Sequence, residues 1–234
     1  DPLWSRGLGD VYKRQVALWL LLALDDDRDV SAGQLVSSSC AFALLPWLHS
    51  RFAVLAALCG LFVIARLWAT PGRWLRIASF LAVPSLAGAA WFAFFWMIWG
   101  SPSPAAPYGA DTSTSMSYIL RGVIGLVIDQ QFGVVATAPV LVLAFVGLPA
   151  LARRRPRLTA ELAIVVVAYT AAVASYAMWW GGSAAPGRFL VSILPLAALP
   201  MAFTASATLS WVLLVVSMAM VAPRGFVEGG RLIY

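Results

Sequence analysis

The sequence has little charge, one histidine and two cysteines. Charged residues make up 11% of the 234 residues, 62% are hydrophobic and the mean hydropathy is +0.86, whereas about a quarter of the residues of a soluble domain are charged. Cys40 and Cys59 lie in apolar stretches, so their spacing supports neither a disulfide framework nor a zinc site. The spacing also shows no nucleotide-binding glycine loop and no Ser-His-Asp arrangement. We therefore predict no soluble domain, no metal and no cofactor.

Long apolar runs fill most of the chain, and short polar segments separate them. A helix needs about 20 apolar residues to cross the hydrocarbon core of a bilayer. The sequence therefore predicts an all-α fold, a polytopic transmembrane helix bundle with about six full spans plus an interfacial or re-entrant helix. The runs interpreted as spans or parts of spans are 16–24, 35–48, 52–69, 75–99, 134–152, 158–178 and 189–222, the last being a hairpin that turns at 204–208.

The segment 118–132 differs from the other apolar runs because its polar and small residues recur with helical periodicity. Arg121, Gly122, Gly125 and Asp129 are predicted to share one stripe of a helix. This pattern predicts the interfacial or inward-facing helix.

Two arginine clusters indicate the orientation. One lies between Arg66 and Arg76, and the stronger one runs from Arg153 to Arg157. Because cytoplasmic loops are rich in arginine, we predict that both clusters face the cytoplasm. The net charge of +6 then reflects topology and not nucleic-acid binding. The side of the acidic turn at 25–29 stays open, because it depends on whether 35–48 crosses the membrane or only dips into it.

The ends of the sequence predict a fragment. A polar stretch, 1–15, runs directly into an apolar piece of nine residues, 16–24, which is too short to span. The run from Arg6 to Gln15 resembles adapter read-through at the ends of translated metagenomic assemblies, although a genuine cytosolic loop is the alternative. We expect 1–15 to be a non-native leader and 16–234 to be a transmembrane helical domain truncated at both ends.

The strongest candidate for a substrate site is an external loop rich in tryptophan and glycine. Trp179 and Trp180 precede Gly181 and Gly182, and Arg188 follows at a predicted helix start. Paired glycines permit close approach of the backbone, and arginine can bind a phosphate with two parallel hydrogen bonds. In the alternative interpretation the tryptophans anchor the membrane interface and the glycines only turn the chain.

The remaining candidates form three pairs. One joins the only histidine to an arginine at a predicted helix end, one places a carboxylate beside a span, where charge is costly, and one lies in an external loop rich in proline. Each pair also has an ordinary explanation, as a hydrogen-bonded histidine, an interfacial carboxylate or solvated loop residues. The pairs are His49 and Arg51, Asp129 and Gln130, and Tyr108 and Asp111. No catalytic residue can be assigned from them.

The order of several short motifs resembles bacterial multipass proteins related to the glycosyltransferase-C superfamily. The motifs lie within 31–203 and are LPWLHSRF at 45–52, WGSP at 99–102, DQQFG at 129–133 with AP at 138–139, WWGG at 179–182 and RF at 188–189. The resemblance implies an enzyme that transfers a sugar from a polyprenyl-phosphate carrier to an acceptor at the external face of the inner membrane. It also implies a catalytic acid in the first external loop, for which this sequence has no counterpart.

A lipid-linked donor fits the basic residues predicted at the external face. Arg188, with His49 and Arg51 as secondary contacts, is expected to bind the donor phosphate while the lipid tail lies among the helices in the bilayer. One alternative is a transporter or flippase of a lipid-linked substrate, because proline- and glycine-interrupted spans such as 189–202 also occur in moving helices. The other alternative is a non-catalytic membrane scaffold.

Overall fold

The regular secondary structure is helical in the part of the chain that the computed structural model describes, which is residues 18, 20–26, 30–104, 106–108, 114–181 and 187–226. Within these residues there is no β-strand, and one isolated bridge pairs Thr114 with Tyr176. The prediction of an all-α fold is therefore confirmed. The expected leader, 1–15, lies outside the described residues. The chain divides into two compact units, Asp1–Thr112 and Ser113–Tyr234.

Unit 1 contains three long helices within its described residues. Ser31 begins the first with a capping box, in which the Ser31 hydroxyl accepts from the Gln34 backbone and the Gln34 side chain accepts from the Ser31 backbone. Gly72 and Gly100 flank the third helix with φ of 67°, a left-handed conformation that glycine adopts without a steric penalty. The helices are α1 (Ala32–Leu48), α2 (Phe52–Leu67) and α3 (Arg73–Trp99), and a 3₁₀ turn, Ala106–Tyr108, follows.

Helix α1 packs along α3 and also contacts α2, whereas α2 and α3 contact each other little. The Phe42 and Phe80 rings meet edge to face with their centroids 5.2 Å apart. Near the other end of α1, Trp47 Nε1 donates to the carbonyl oxygen of Ala87 at 3.3 Å. Because α2 and α3 diverge above α1, an apolar groove remains between them.

Asp25 lies at the same end of unit 1 as the first arginine cluster. Arg66 Nη1 lies 2.8 Å from Asp25 Oδ1, and Arg76 Nη2 donates to the carbonyl oxygen of Val30 at 2.7 Å. Helix α1 starts beside this end and finishes at His49. Helix α1 therefore connects the Asp25–Arg66 end of unit 1 with the His49 turn.

Unit 2 contains six α-helices within its described residues. They are α4 (Ile119–Ile128), α5 (Val134–Thr137), α6 (Val142–Arg154), α7 (Pro156–Ala174), α8 (Leu194–Met201) and α9 (Ala207–Phe226), with 3₁₀ turns at Met116–Tyr118, Pro139–Leu141 and Leu190–Ile193. The break between α8 and α9 lies close to the turn predicted for the last hairpin.

The run 134–152, expected to form one span, is broken between α5 and α6. Ala138 has φ of −136° and ψ of 75°, and Pro139 has no backbone N–H to continue a helical hydrogen-bond ladder. The Val140 N–H freed by this break donates to Ser217 Oγ on α9 at 2.9 Å. The break is therefore tied to a neighbouring helix of unit 2.

Glycines allow close helix packing in unit 2. Gly122 and Gly125 are both buried on α4, and a Cβ atom on Gly122 would collide with the backbone of Ala174. Arg121 is exposed, so it does not share the predicted stripe with the glycines. Adjacent residues of an α-helix differ by about 100° in direction, which explains why Arg121 and Gly122 lie on different faces.

Two helices are long and apolar enough to cross a bilayer within the described residues, namely α3 and α7. The other apolar helices are shorter, and they include α1, α2, the segment 116–128 and the segment 190–201. Helix length therefore does not confirm six full spans. The physical reason is that proline and short turns divide apolar sequence that hydropathy alone counts as continuous.

Candidate functional site

The candidate site in unit 2 begins at the turn after α4. Asp129 Oδ1 accepts hydrogen bonds from the backbone N–H groups of Gln131 and Phe132, each at 2.9 Å. The backbone carbonyl of Asp129 accepts from Gly133 N at 2.8 Å. This is the local capping geometry that aspartate side chains favour. The Asp129 carboxylate therefore shapes the turn that carries the exposed Gln130.

A second segment joins this turn at Phe132. Gly187 N donates to the Phe132 carbonyl oxygen at 2.9 Å, which connects residues 55 positions apart in the chain. Gly187 has φ of 65°, and a Cβ atom there would collide with the side chain of Val134. Glycine is thus required at this junction for both conformation and space.

Trp179 forms the packed side of the junction. It is buried, and its ring meets Phe132 edge to face at 6.4 Å and Trp180 at 5.6 Å. The ring lies directly over Gly125, where any side chain would overlap it. Within the part of the chain that the structure describes, Trp179 Nε1 is buried and has no hydrogen-bond partner, an arrangement that costs about 1–3 kcal/mol. Trp179 therefore positions the α4 turn by packing.

Arg188 is the exposed cation of this junction. Its guanidinium carbon lies 5.8 Å from the centroid of the Phe189 ring, a cation–π distance. The buried Tyr169 hydroxyl donates to the Phe189 carbonyl oxygen at 3.2 Å, which fixes the backbone next to Arg188. Gly181, with φ of 85°, lies beside the same two side chains. A solvent-facing guanidinium on a fixed backbone can bind an anion such as a phosphate.

His49 and Arg51 lie together in the turn between α1 and α2 of unit 1. The Arg51 backbone N–H donates to His49 Nδ1 at 3.3 Å, which places the proton of a neutral imidazole on Nε2. The Arg51 guanidinium carbon lies 5.2 Å from the centroid of the Phe52 ring. His49 is exposed and Arg51 is half-buried. This pair therefore forms a second basic site in a different unit from Arg188.

Of the three remaining sequence candidates, the structure describes Tyr108 alone. Tyr108 ends the 3₁₀ turn Ala106–Tyr108. Gly182 and Asp111 lie outside the described residues.

Unit 1 also contains an apolar groove that the sequence candidates did not include. It has a volume of about 410 Å³ and lies between α2 and α3 over α1. Its small side chains on α2 recur at helical spacing, which is the sequence signal for a groove on this face. The lining residues are Phe42, Ala43, Pro46, Trp47, Ala53, Ala56, Ala57, Gly60, Leu61, Ile64, Phe80, Leu81, Pro84, Ala87, Gly88, Trp91 and Phe92.

No group of three or more His, Cys, Asp or Glu side chains is arranged to hold a metal ion among the described residues. The chemistry that the described site offers is anion binding by arginine beside apolar surface. Comparison of the chain with family models, curated proteins and solved structures finds no match. The function is therefore argued from the residues themselves.

Proposed function

We propose that this chain is a polytopic integral membrane protein with glycosyltransferase-like activity towards a lipid-linked sugar. The observation that carries the membrane setting is the exposed apolar face of α3. Leu75, Leu86 and Met97 are 72%, 75% and 83% exposed along this helix. The core helix of a soluble protein would bury such side chains, and each buried leucine-sized side chain gains about 1.5–3 kcal/mol. Exposing these side chains to water forgoes that gain, whereas hydrocarbon around α3 would remove them from water.

Aromatic residues at both ends of α3 support the same setting. Trp68 and Trp74 meet edge to face at 5.0 Å, and the Arg73 guanidinium lies over both rings. Phe95 and Trp99 stack at the other end, with centroids 5.2 Å apart. The 26 residues from Trp74 to Trp99 rise about 37 Å in a helix. This length covers a hydrocarbon core of about 30 Å and reaches both interfaces, where tryptophan is enriched.

The proposed arrangement has about six crossings of a bacterial inner membrane, with α4 as the interfacial or re-entrant helix. Helices α1 and α2, with 17 and 16 residues, are each about 25 Å long and close to the shortest spans. The loops from Arg66 to Arg76 and from Arg153 to Arg157 face the cytoplasm in this arrangement. The His49 end of unit 1 then faces outward.

The reaction proposed for this setting is sugar transfer from a polyprenyl phosphate. An acceptor hydroxyl oxygen forms a bond to the anomeric carbon, the bond from that carbon to the phosphate oxygen breaks, and the hydroxyl proton passes to a base. The polyprenyl phosphate leaves with the bonding electron pair. Arg188 is the proposed contact to this phosphate, because its exposed guanidinium can stabilise the charge that develops on the leaving group. The catalytic base is not assigned.

Transfer by the purified chain in lipid vesicles tests this proposal. The substrates are a synthetic polyprenyl-phosphate sugar and a panel of lipid, glycan and peptide acceptors. Hydrogen bonds to charged groups contribute about 1.5–3 kcal/mol, so Arg188→Ala should lower kcat/KM for the donor roughly 10- to 150-fold. The matched control is Arg121→Ala, because Arg121 is also an exposed arginine of unit 2 but lies outside the junction.

Each outcome of this assay has a distinct meaning. Full activity of Arg188→Ala would remove Arg188 from the site. Movement of intact donor across the vesicle membrane, with no sugar transfer to any acceptor, would show that the chain is a flippase and not a glycosyltransferase. Release of the chain from membranes by alkaline carbonate would overturn the membrane setting itself.

A further inference from the structure

The corner between α6 and α7 of unit 2 concentrates positive charge. Within the described residues of unit 2 the acidic side chains are Asp129 and Glu161. Asp129 caps the turn after α4, and Glu161 Oε1 lies 3.1 Å from Arg157 Nε, whose side chain stays 56% exposed. We call the arginines of this corner the basic corner. They are Arg153, Arg154, Arg155 and Arg157. The corner therefore holds four guanidinium groups and one carboxylate, and it carries a net positive charge.

Arg153 and Arg154 carry the part of this charge that no described carboxylate balances. Both side chains are exposed, and neither forms an ion pair within the described residues. The guanidinium carbon of Arg154 lies 5.5 Å from the centroid of the Phe203 ring, a cation–π distance. Phe203 follows α8, which packs closely on α6 at Gly147. This contact orients the Arg154 side chain, and its exposed guanidinium can still bind an anion.

Exposed apolar side chains begin two helical turns from the basic corner on both helices. On α6, Val146 is 52% exposed and lies seven residues before Arg153, and on α7, Ile164 is 49% exposed and lies seven residues after Arg157. Residues seven positions apart lie on the same side of a helix, and about 10 Å separates them along its axis. Each helix therefore presents a positive charge at its end and apolar surface on the same side.

This spacing matches an anionic lipid in one leaflet of a bilayer. The polar head groups add about 5–7 Å to each face of the hydrocarbon core. When the guanidinium groups lie at the level of the phosphates, Val146 and Ile164 therefore lie in the hydrocarbon. A soluble polyanion such as nucleic acid would contact the charge but not the apolar surface beside it. The two features together favour an anionic amphiphile.

We propose that the basic corner binds the phosphate of an anionic phospholipid through Arg153 and Arg154, with the acyl chains against the exposed sides of α6 and α7. The proposal rests on the membrane setting proposed above but not on sugar transfer. Guanidinium groups bind phosphate oxygens through parallel hydrogen bonds, and basic residues at a membrane surface attract anionic head groups. The bound lipid belongs to the cytoplasmic leaflet in the proposed orientation, where it anchors the corner at the interface.

Mass spectrometry of lipid retained by the purified full chain tests the inference. The chain is reconstituted in vesicles of phosphatidylglycerol and phosphatidylcholine with identical acyl chains, extracted in mild detergent and washed. The measured quantity is the ratio of phosphatidylglycerol to phosphatidylcholine retained per chain. The variants are Arg153→Gln, Arg154→Gln and the double variant. The matched control is Arg121→Gln, because Arg121 is an exposed arginine of unit 2 with no second arginine near it in the chain.

We expect the wild type to retain phosphatidylglycerol in preference to phosphatidylcholine. Each single variant should lower the ratio about fivefold, the change that about 1 kcal/mol per basic residue produces, and the double variant about 25-fold if the two contributions add. Arg154→Lys keeps the charge and should stay within about twofold of the wild type, as should Arg121→Gln. Glycerol 3-phosphate, a head group without acyl chains, should not displace the retained lipid. Thermal unfolding in detergent checks that each variant folds, and the single variants decide if the double variant does not.

Four results would overturn the inference. An unchanged ratio in the double variant of a chain that resists alkaline extraction would remove the lipid site and leave the membrane setting intact. Equal losses in Arg121→Gln and in the two single variants would show attraction to any exposed arginine. Displacement of the lipid by short duplex DNA would identify a site for soluble polyanions. Release of the chain from membranes by alkaline carbonate would remove the setting that the lipid site requires.

Discussion

Two helical glycines should respond in opposite directions to the same substitution. Gly147 on α6 faces the carbonyl of Pro200 on α8, and a Cβ atom there would collide with the carbonyl oxygen and lie 2.8 Å from the carbonyl carbon. Gly88 on α3 has no atom within 4 Å of its Cβ position. In a helix interior, replacing glycine with alanine gains about 1 kcal/mol when nothing obstructs the new methyl group. Gly88→Ala should therefore stabilise the protein by about that amount.

At Gly147 the steric cost exceeds the gain in helix propensity. The obstructing atoms belong to the backbone, so they cannot rotate away as the end of a side chain would, and overpacking of this kind costs about 1–3 kcal/mol. The Pro200 carbonyl also accepts a hydrogen bond from Phe203 N at 3.0 Å, and Thr204 Oγ1 donates to the Leu143 carbonyl at 3.3 Å across the same contact. Displacing α8 weakens these bonds, each worth about 0.5–1.5 kcal/mol. The net loss for Gly147→Ala is about 1–3 kcal/mol.

Thermal unfolding in one detergent, followed by circular dichroism, measures both variants. For a chain of this length 1 kcal/mol corresponds to about 2–4 °C. We expect Gly88→Ala to raise Tm by about 2–4 °C and Gly147→Ala to lower it by about 2–12 °C. The sign is the decisive observation, because detergent affects both variants alike. A rise of similar size in both would refute the close contact between α6 and α8.

Two further substitutions test polar contacts of the described residues. Asp129→Ala removes the acceptor of two backbone N–H groups, one of them on the buried Phe132, and should lower the free energy of unfolding by about 1–2 kcal/mol. Asp129→Asn keeps an acceptor oxygen and should retain most of this stability in the same melt; equal losses in both variants would argue for a role of the charge. Asp25→Asn removes the carboxylate beside Arg66, which is 5% exposed, and should cost about 3–5 kcal/mol by denaturant titration. A double variant with Arg66→Met should recover most of that loss, and failure to recover it would show that the pair is not the main contact of either residue.

The helical class follows from the sequence because it depends on local properties. Apolar runs at 75–99 and 158–178 predict helices near the observed α3 and α7, since long apolar segments form helices wherever the backbone must satisfy its own hydrogen bonds. Hydropathy alone does not predict the helix break at Pro139. Proline is apolar enough to continue such a run, but it removes a backbone donor from the helix.

The sequence predicts individual residues of the candidate site but not the long-range contacts that bring them together. Asp129 was identified beside a span, and its capping of Gln131 and Phe132 is a local interaction that aspartate commonly makes. The bond between Gly187 and the Phe132 carbonyl joins distant segments, and no pattern in the sequence specifies that pairing. The groove of unit 1 depends likewise on the divergence of α2 from α3, which is a property of packing and not of either helix alone.

The arginines of the first cluster differ in their contacts, and therefore in how much each is expected to affect orientation in the proposed membrane setting. Arg66 is buried against Asp25, so its charge is balanced within unit 1 and stabilises the fold. Arg76 Nη2 donates to the Val30 carbonyl oxygen. Arg73 is exposed over the Trp68 and Trp74 rings, as expected for a cation at a membrane interface. Orientation depends on arginine more than on acidic residues. In the proposed membrane setting, the exposed Arg73 is therefore the residue of this cluster that we expect to hold this end of unit 1 on the cytoplasmic side.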